Sequence, residues 1–222
     1  MLTELVAQAD RVIEHNLSAD ACITASFQAE CVALLHMLLA RQPNIPVIFL
    51  ETGYHFPETL AYRDRIASDW NLNLITLTPK LTVAEQESRF GILHQTQPDR
   101  CCAMRKVEPL FAELEKYDAW FTGLRREQSK SRAELQVVDT FALPGGRRLR
   151  KISPLADWPT QFVWAYLSEH NIPLLPLYDE GYTSIGCAPC TALPLDPNDP
   201  RSGRWSGRKL ECGIHLQHDH AG

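Results

Sequence analysis

The sequence predicts an α/β fold in which a parallel sheet is covered by helices on both faces. Three observations carry this expectation. Short β-type runs alternate with helical patterns through the first two-thirds of the chain. Their spacing leaves room for a helix between successive parallel strands, as crossover connections require. With 45% hydrophobic and 22% charged residues, the 222-residue chain has the ordinary balance of a globular domain with one buried core.

In order, residues 21–25 (ACITA) read as a buried strand and residues 30–41 (ECVALLHMLLAR) as the helix after it. Residues 46–50 (PVIFL) form a second strand and 57–70 a second helix; 72–77 form a third strand, 107–117 a later helix, and 119–122 (AWFT) a fourth strand. Ligands of such folds sit beyond the carboxyl ends of the strands, near the switch in strand order. Three loops leave those ends: Ser26-Phe27-Gln28-Ala29, Glu51-Thr52-Gly53-Tyr54-His55 and Gly123-Leu124-Arg125-Arg126. After Pro154 one helix remains, at 160–170, and the chain then becomes rich in Pro, Gly and Arg. That tail is too irregular for a second domain. The expectation is a single domain, 1–222, in which 192–222 is a mobile C-terminal arm folded over the open end of the sheet.

A net charge of −5 argues against a general nucleic-acid or membrane-surface binder. Residues 1–16 are interrupted by Glu4, Asp10, Arg11 and Glu14, so they lack the apolar core of a signal peptide. No run approaches the roughly 20 apolar residues of a membrane span. A cytoplasmic location is expected, where structural disulfides are disfavoured. Seven cysteines then call for metal binding or catalysis.

Cys101-Cys102 and Cys187-Ala188-Pro189-Cys190 offer four thiolates, suited to tetrahedral zinc or to a [4Fe–4S] cluster. Zinc sites space their ligands by two to four residues, whereas adjacent cysteines reach a bulky cluster only with strained backbone, so spacing favours the cluster. A redox dithiol at Cys187 and Cys190 is disfavoured, because Leu193-Pro194-Leu195-Asp196-Pro197 cannot continue as a helix. Cys22 and Cys31, among apolar neighbours, read as packing residues. Cys212 follows Arg201, Arg204, Arg208 and Lys209. Nearby cations stabilise a thiolate nucleophile and attract an anionic substrate; the bland alternative is an incidental cysteine on a solvated basic tail.

The strand-to-helix loop before Glu30 offers backbone amides to an anion. The chain lacks G-x-x-x-x-G-K-[ST] and G-x-G-x-x-G. Arg125, Arg126 and Arg132 could clamp phosphate or sulfonate groups, with Arg105 and Lys106 beside the paired cysteines. Surface salt bridging, commonly worth under about 1 kcal/mol, is the plain alternative for each Arg.

Taken together, Ser26-Phe27-x-Ala29-Glu30, Thr52-Gly53-Tyr54-His55-Phe56-Pro57-Glu58-Thr59, Cys101-Cys102-x-x-Arg105-Lys106, Gly123-Leu124-Arg125-Arg126-x-Gln128-Ser129, Ser184-Ile185-Gly186-Cys187-x-Pro189-Cys190-Thr191, Gly203-Arg204-Trp205 and Glu211-Cys212-Gly213-Ile214-His215 resemble the phosphoadenylyl-sulfate/adenylyl-sulfate (PAPS/APS) reductase family over nearly the whole chain. The resemblance implies a Rossmann-like, adenine nucleotide alpha-hydrolase-like fold. It implies one [4Fe–4S] cluster on Cys101, Cys102, Cys187 and Cys190, and Cys212 as the nucleophile that attacks the sulfur of adenosine 5′-phosphosulfate (APS), expelling AMP. Thioredoxin or glutaredoxin would then release sulfite from the Cys–S–SO₃⁻ intermediate, in sulfate assimilation toward cysteine. Lys106 would stand between cluster and substrate, and His215 beside the nucleophile. Arg132, Arg201 and Arg204 would contact the phosphate–sulfate group, with Ser26 and the Thr52-Gly53 loop holding the nucleotide. A homo-oligomer is expected, with no nucleic-acid or membrane partner.

The sequence departs from the family where Gln28 stands in place of a common glycine, where the segment from Trp205 to Cys212 is short, and where Leu210 replaces a frequent polar residue. The chain carries no thioredoxin-like segment after the arm, so a separate reductant is expected. The nearest rival acts on the 3′-phosphorylated nucleotide (PAPS), although paired cysteines with the CxxC accompany APS in the family. An ATP pyrophosphatase would want Ser-Gly-Gly-x-Asp where this chain has Ser26-Phe27-Gln28-Ala29-Glu30. A non-enzymatic iron–sulfur or zinc sensor would leave Cys212 and its arginines without a role.

Overall fold

Alternation along very short strands decides which face of the sheet each residue serves. The computed structural model describes residues 1–196, 199–209 and 211–215. Its strands are β1 (Ala21–Thr24), β2 (Val47–Leu50), β3 (Leu74–Leu77), β4 (Ala119–Phe121), β5 (Val138–Ala142) and β6 (Arg148–Ile152). Ala21 and Ile23, Val47 and Phe49, and Ala119 and Phe121 enter one core. Cys22, Ile48 and Trp120, one residue out of phase, enter the other. The first core is roofed by α1 (Leu2–Asn16), α2 (Ala29–Leu39), α3 (Pro57–Asp69) and α8 (Thr160–Glu169), the second chiefly by α7 (Glu108–Leu114). Near-continuous apolar runs are what a sheet covered on both faces demands.

The strand order is β3-β2-β1-β4-β6-β5, with every pairing parallel except β5 against β6. The chain lays strands outward from β1 to β3, then returns to place β4 on the other side of β1. The switch point therefore lies between β1 and β4, which is where a ligand crevice opens.

Several elements were not foreseen from the sequence. The expected all-parallel sheet carries an antiparallel edge hairpin, β5–β6, closed around Pro144-Gly145-Gly146 with Leu143 N–H donating to Arg147 C=O at 2.8 Å. An amphipathic first helix, α1, buries Ala9 and Ile13. Between β3 and α7 lie α4 (Val83–Phe90), α5 (Leu93–Thr96) and α6 (Pro98–Cys102). Thr82 and Glu85 form a reciprocal capping box that starts α4.

One wide π turn, Ala103–Val107, joins α6 to α7 and carries Arg105 and Lys106. Such turns widen a helix locally and recur at functional sites. Cys101 and Cys102 both belong to α6, and Cys102 has φ −65° and ψ −39°. The strained backbone expected of adjacent cysteines is absent: an ordinary helical turn presents both.

The arm folds back over the carboxyl ends of the strands. Thr191 bridges Arg204 in antiparallel fashion, and Ala192 N–H donates to Gly203 C=O at 2.9 Å. Leu210, singled out in the sequence, lies outside the described residues, as do 197, 198 and 216–222 of the expected arm.

Candidate active site

A cavity of about 520 Å³ opens at the switch point, walled by Thr24 to Ser26 after β1, Ile48 to Leu50 of β2, Thr122 to Arg125 after β4, and the returning arm. Its wall combines apolar side chains from the strand ends with many polar and charged ones from the loops and the arm. Into it face Ser26, Lys106, Arg132, Arg201, Arg204, Cys212 and His215, brought together from four separate stretches of chain.

The first loop is built by side chains as well as backbone. Phe27 adopts a left-handed φ of 56° and is fully buried, its ring edge-on to Phe49 at 5.8 Å. A non-glycine residue there is strained, and burial against Phe49 holds it. Gln28, which stands where a glycine is common, has φ −80° and needs no glycine. Its amide donates to Ser26 Oγ at 3.1 Å and its carbonyl oxygen accepts from Ile185 N–H at 2.8 Å, tying the loop to the segment before Cys187. The first free amide of α2, at Ala29, donates to the Tyr178 hydroxyl at 3.0 Å, so that expected anion donor is already occupied.

The arginines divide sharply. Arg125, only 3% exposed, is consumed by Glu30 at 2.8 Å, Glu127 at 3.0 Å, the Trp158 carbonyl and Thr160. Arg126 pairs with Asp157 and the Leu135 carbonyl. Both serve structure, contrary to the clamp expected of them. Arg132 instead faces the cavity and makes a bidentate pair with Glu211: Nε to Oε1 at 2.8 Å and NH2 to Oε2 at 2.7 Å. Arg201 approaches the same carboxylate at 3.6 Å. Burial, then the charge of Arg132, pushes the Arg201 guanidinium down to about 10. Arg204 lies over the Trp205 ring at 4.5 Å, and its guanidinium occupies the space a Cβ on Gly186 would need, so a larger residue there would push the guanidinium aside. Arg208 and Lys209 tie the arm down, to the Gln95 carbonyl at 2.8 Å and to Asp99 at 2.6 Å.

Cys212 is half-buried between two anchors. Glu211 holds the arginines on one side. On the other, His215 stacks on Trp120 at 5.4 Å and 17°, and Lys151 Nζ donates to the His215 carbonyl at 3.1 Å. Burial, then Lys151 and Arg132, holds the His215 imidazole well below its usual range, so it is neutral.

A second, narrow cavity is walled by Cys101, Cys102, Cys187 and Cys190 with Tyr54, Arg105, Lys106 and Trp205. The helical pair and the 3₁₀ turn Ala188–Cys190 present thiols to one another; all four are free. Burial pushes Cys190 up to about 11, and the charges of Cys187, Cys102 and Cys101 add to it through any compensation by Lys106. Cys187 moves the other way. Burial raises it, but Lys106 and a hydrogen bond from Thr52 Oγ1 at 3.2 Å outweigh that. Lys106 borders both cavities; burial would lower its ammonium, but Cys187, Cys212 and Cys102 push it up. Among the described residues no three His, Cys, Asp or Glu side chains form a group that would hold a metal ion.

Thr52, expected at the nucleotide, stands with the thiols, and Gly53, expected there too, lies beside Val83 and Arg105 outside both cavities. Thr52 is fully buried against Cys187, and its carbonyl accepts from Arg105, whose guanidinium also donates to Gln86 Oε1 at 3.0 Å. Cys22 is buried packing, as expected, but Cys31 borders the large cavity, its sulfur 3.4 Å from Ser26 Oγ. Among the described residues no helix is long and apolar enough to cross a membrane.

Residues 20–193 match the phosphoadenosine phosphosulfate reductase domain family. The chain belongs to that family. Within it, this reductase is 47% identical over 196 residues to the adenosine 5′-phosphosulfate reductase of Streptomyces coelicolor, covering 87% of this chain and 81% of that one. It is equally 47% identical, over 198 residues, to the phosphoadenosine 5′-phosphosulfate reductase of Gloeobacter violaceus, with 87% and 81% covered. Among solved structures, the phosphoadenylyl-sulfate reductase of Candida auris superposes with a TM-score of 0.72 at 25% identity, covering 86% of this chain and 96% of that one. The nucleotide-fold expectation thus holds, with the antiparallel edge hairpin added. Sequence reasoning marked Gln28 only as a departure from the family's glycine, and missed Lys151 and Glu211 as site residues. Lys151 carries no local signal, and Glu211 was legible only as a flank of Cys212.

Proposed function

We propose that this reductase converts APS to sulfite and AMP in the cytoplasm, feeding sulfate assimilation toward cysteine. The observation that carries the reading is the convergence of Cys212, Lys106, Arg132, Arg201 and Arg204 on one cavity at the switch point. Cationic groups around a thiol both attract an oxyanion and stabilise the thiolate that attacks it. Cys212 Sγ attacks the substrate sulfur as the bond from that sulfur to the bridging oxygen breaks. AMP leaves with the electron pair, and the enzyme holds Cys–S–SO₃⁻. A thiolate of reduced thioredoxin or glutaredoxin then attacks Cys212 Sγ and expels sulfite. Its second thiol resolves the mixed disulfide, so the two electrons come from the dithiol.

Ser26 and the loop after β1 would position the nucleotide, and Arg132, Arg201 and Arg204 the phosphate–sulfate group. The four thiols, three buried and Cys190 partly so, repel one another as thiolates and fit a group that brings compensating positive charge, and their soft, all-sulfur set suits iron. Cys101, Cys102, Cys187 and Cys190 would hold one [4Fe–4S] cluster, which when bound supplies fixed charge and shape beside the site. Lys106 would carry that influence to the substrate.

PAPS is the second reading, favoured by the equal likeness to the Gloeobacter relative. Sulfite release from APS and from PAPS, measured with anaerobically purified protein and reduced thioredoxin, separates the two. Faster turnover of APS, lost in Cys212→Ser, is the expected result. Preference for PAPS would overturn the substrate, and no sulfite from either nucleotide would overturn the reductase chemistry.

A further inference from the structure

The arginines that face the cavity are not open to solvent. Glu211 fills the place in front of Arg132 with the geometry of a bound oxyanion. Its two carboxylate oxygens receive the fork of Arg132 at 2.8 and 2.7 Å, Ser131 Oγ at 3.1 Å, and Ser129 Oγ at 3.4 Å, with Arg201 at 3.6 Å. The pair is deeply enclosed, with the Glu211 side chain 8% exposed and that of Arg132 11%. A forked guanidinium matches carboxylate, sulfate and phosphate alike, because all present two oxygens in one plane.

We infer that Glu211 holds the place of the substrate's terminal oxyanion while the site is empty, and that a bound sulfate-bearing end displaces it. This rests on the reading that Arg132 and Arg201 receive the phosphate–sulfate group. Two enclosed guanidinium groups facing each other without an anion are costly, and Glu211 offsets that cost in the empty protein. Burial and the charge of Arg132 push the Arg201 guanidinium down, and the charge of Glu211 opposes them. Burial raises the Glu211 carboxyl, yet the hydrogen bonds and charges of Arg132 and Arg201 hold it below the usual carboxylate range. Because Glu211 immediately precedes Cys212 in the chain, the exchange of anions also moves the nucleophile. Anion arrival and thiol placement are then one event. Glu211 acts here as a positioning residue, through Arg132 and the backbone of Cys212.

The alternative, that Glu211 stays and orients Arg132 for the substrate, gives the opposite sign on binding. The test uses cluster-loaded protein, with inorganic sulfate, APS and AMP as probes. Binding is compared by calorimetry between Cys212→Ser and the double variant Cys212→Ser/Glu211→Gln, so that no sulfonate transfer intervenes. Glu211→Asp in the same background keeps the charge and checks that the arm still docks. The expected result is about tenfold tighter binding of sulfate and APS when Gln replaces Glu211, because a competing charge-assisted pair is removed. AMP, which lacks the outer oxyanion, should change by less than about twofold. Unchanged or weaker sulfate and APS binding in the Gln variant would overturn the inference, whatever the turnover. Tighter sulfate binding in an enzyme that makes no sulfite from APS would leave the anion place standing and sink the proposed substrate.

Discussion

Two sets of thiols meet at this site and are held in opposite ways. Cys101 and Cys102 end a helix that runs through the π turn into α7, and Cys187 and Cys190 flank a 3₁₀ turn pinned by Ala188 N–H to the Tyr54 carbonyl at 2.7 Å. Gln86, fully buried, and Arg105 brace them from behind. Among the described residues Cys212 has no such frame. Its position depends on Glu211 at the arginines and on His215 against Trp120 and Lys151. Regular backbone fixes the first set; exchangeable side-chain contacts fix the second. On the proposed reading, a nucleophile that meets first a nucleotide and then a separate protein gains from being detachable, whereas the ligands of a cluster gain from being rigid.

The comparison can be broken most severely at Cys212. Cys212→Ser should lower sulfite release by at least about 10³-fold, because the group that forms the bond is gone. Its iron content and thermal midpoint should stay at wild-type values. A serine variant that lost iron or melted early would show the nucleophile to be part of the frame. Cys190→Ser should do the reverse: iron is lost, and the midpoint falls by about 5 °C or more as enclosed thiols lose their bound counter-charge. Calorimetry alongside iron analysis decides it. Unchanged melting would mean that the four thiols are not a structural unit.

A smaller effect is expected at the residue shared by both cavities. Lys106→Met should reduce kcat about 10- to 100-fold, the usual cost of losing a group that links a metal site to its chemistry, while iron stays bound. Wild-type kcat in an iron-replete Lys106→Met protein would remove Lys106 from the account.

The smallest effect concerns pH. Burial, then Arg132, pushes the Lys151 ammonium from 10.5 down to about 8, with Asp139 and Glu211 opposing. A lysine whose pKa is lower in the folded protein than in the unfolded chain costs stability while it is protonated. That penalty is full below about 8, declines between about 8 and 10.5, and vanishes above. The thermal midpoint should therefore gain a stabilising contribution as pH rises through that window. Lys151→Met should flatten the response; an identical pH course in both proteins would discard Lys151 as the cause.

How much of this could be read in advance follows the same division. The central strands and the helices after β1 and β2 are legible, because buried parallel strands are apolar runs whose neighbours are near in sequence. The edge hairpin is not, since Arg148-Leu149-Arg150-Lys151-Ile152 looks solvent-bound although Lys151 is buried over Trp120 and Phe141. The first helix has the right periodicity, but its charges invite attention only as breaks in a leader. Cysteine spacing marks the thiols. The partition of the arginines does not show, because Arg125 meets Glu30 across 95 residues and Arg132 meets Glu211 across 79. Thr52 shows how a motif can be found while the face it serves is set by a turn 135 residues away.

The central claim is that Cys212 itself takes the sulfonate. Wild-type protein mixed with APS in the absence of any thiol reductant, then digested and weighed by mass spectrometry, tests it directly. The account predicts one SO₃ group on the peptide carrying Cys212, one equivalent of AMP released, and no sulfite until thioredoxin is added. Release of AMP and sulfite with no adduct, or an adduct on any other cysteine, would contradict it.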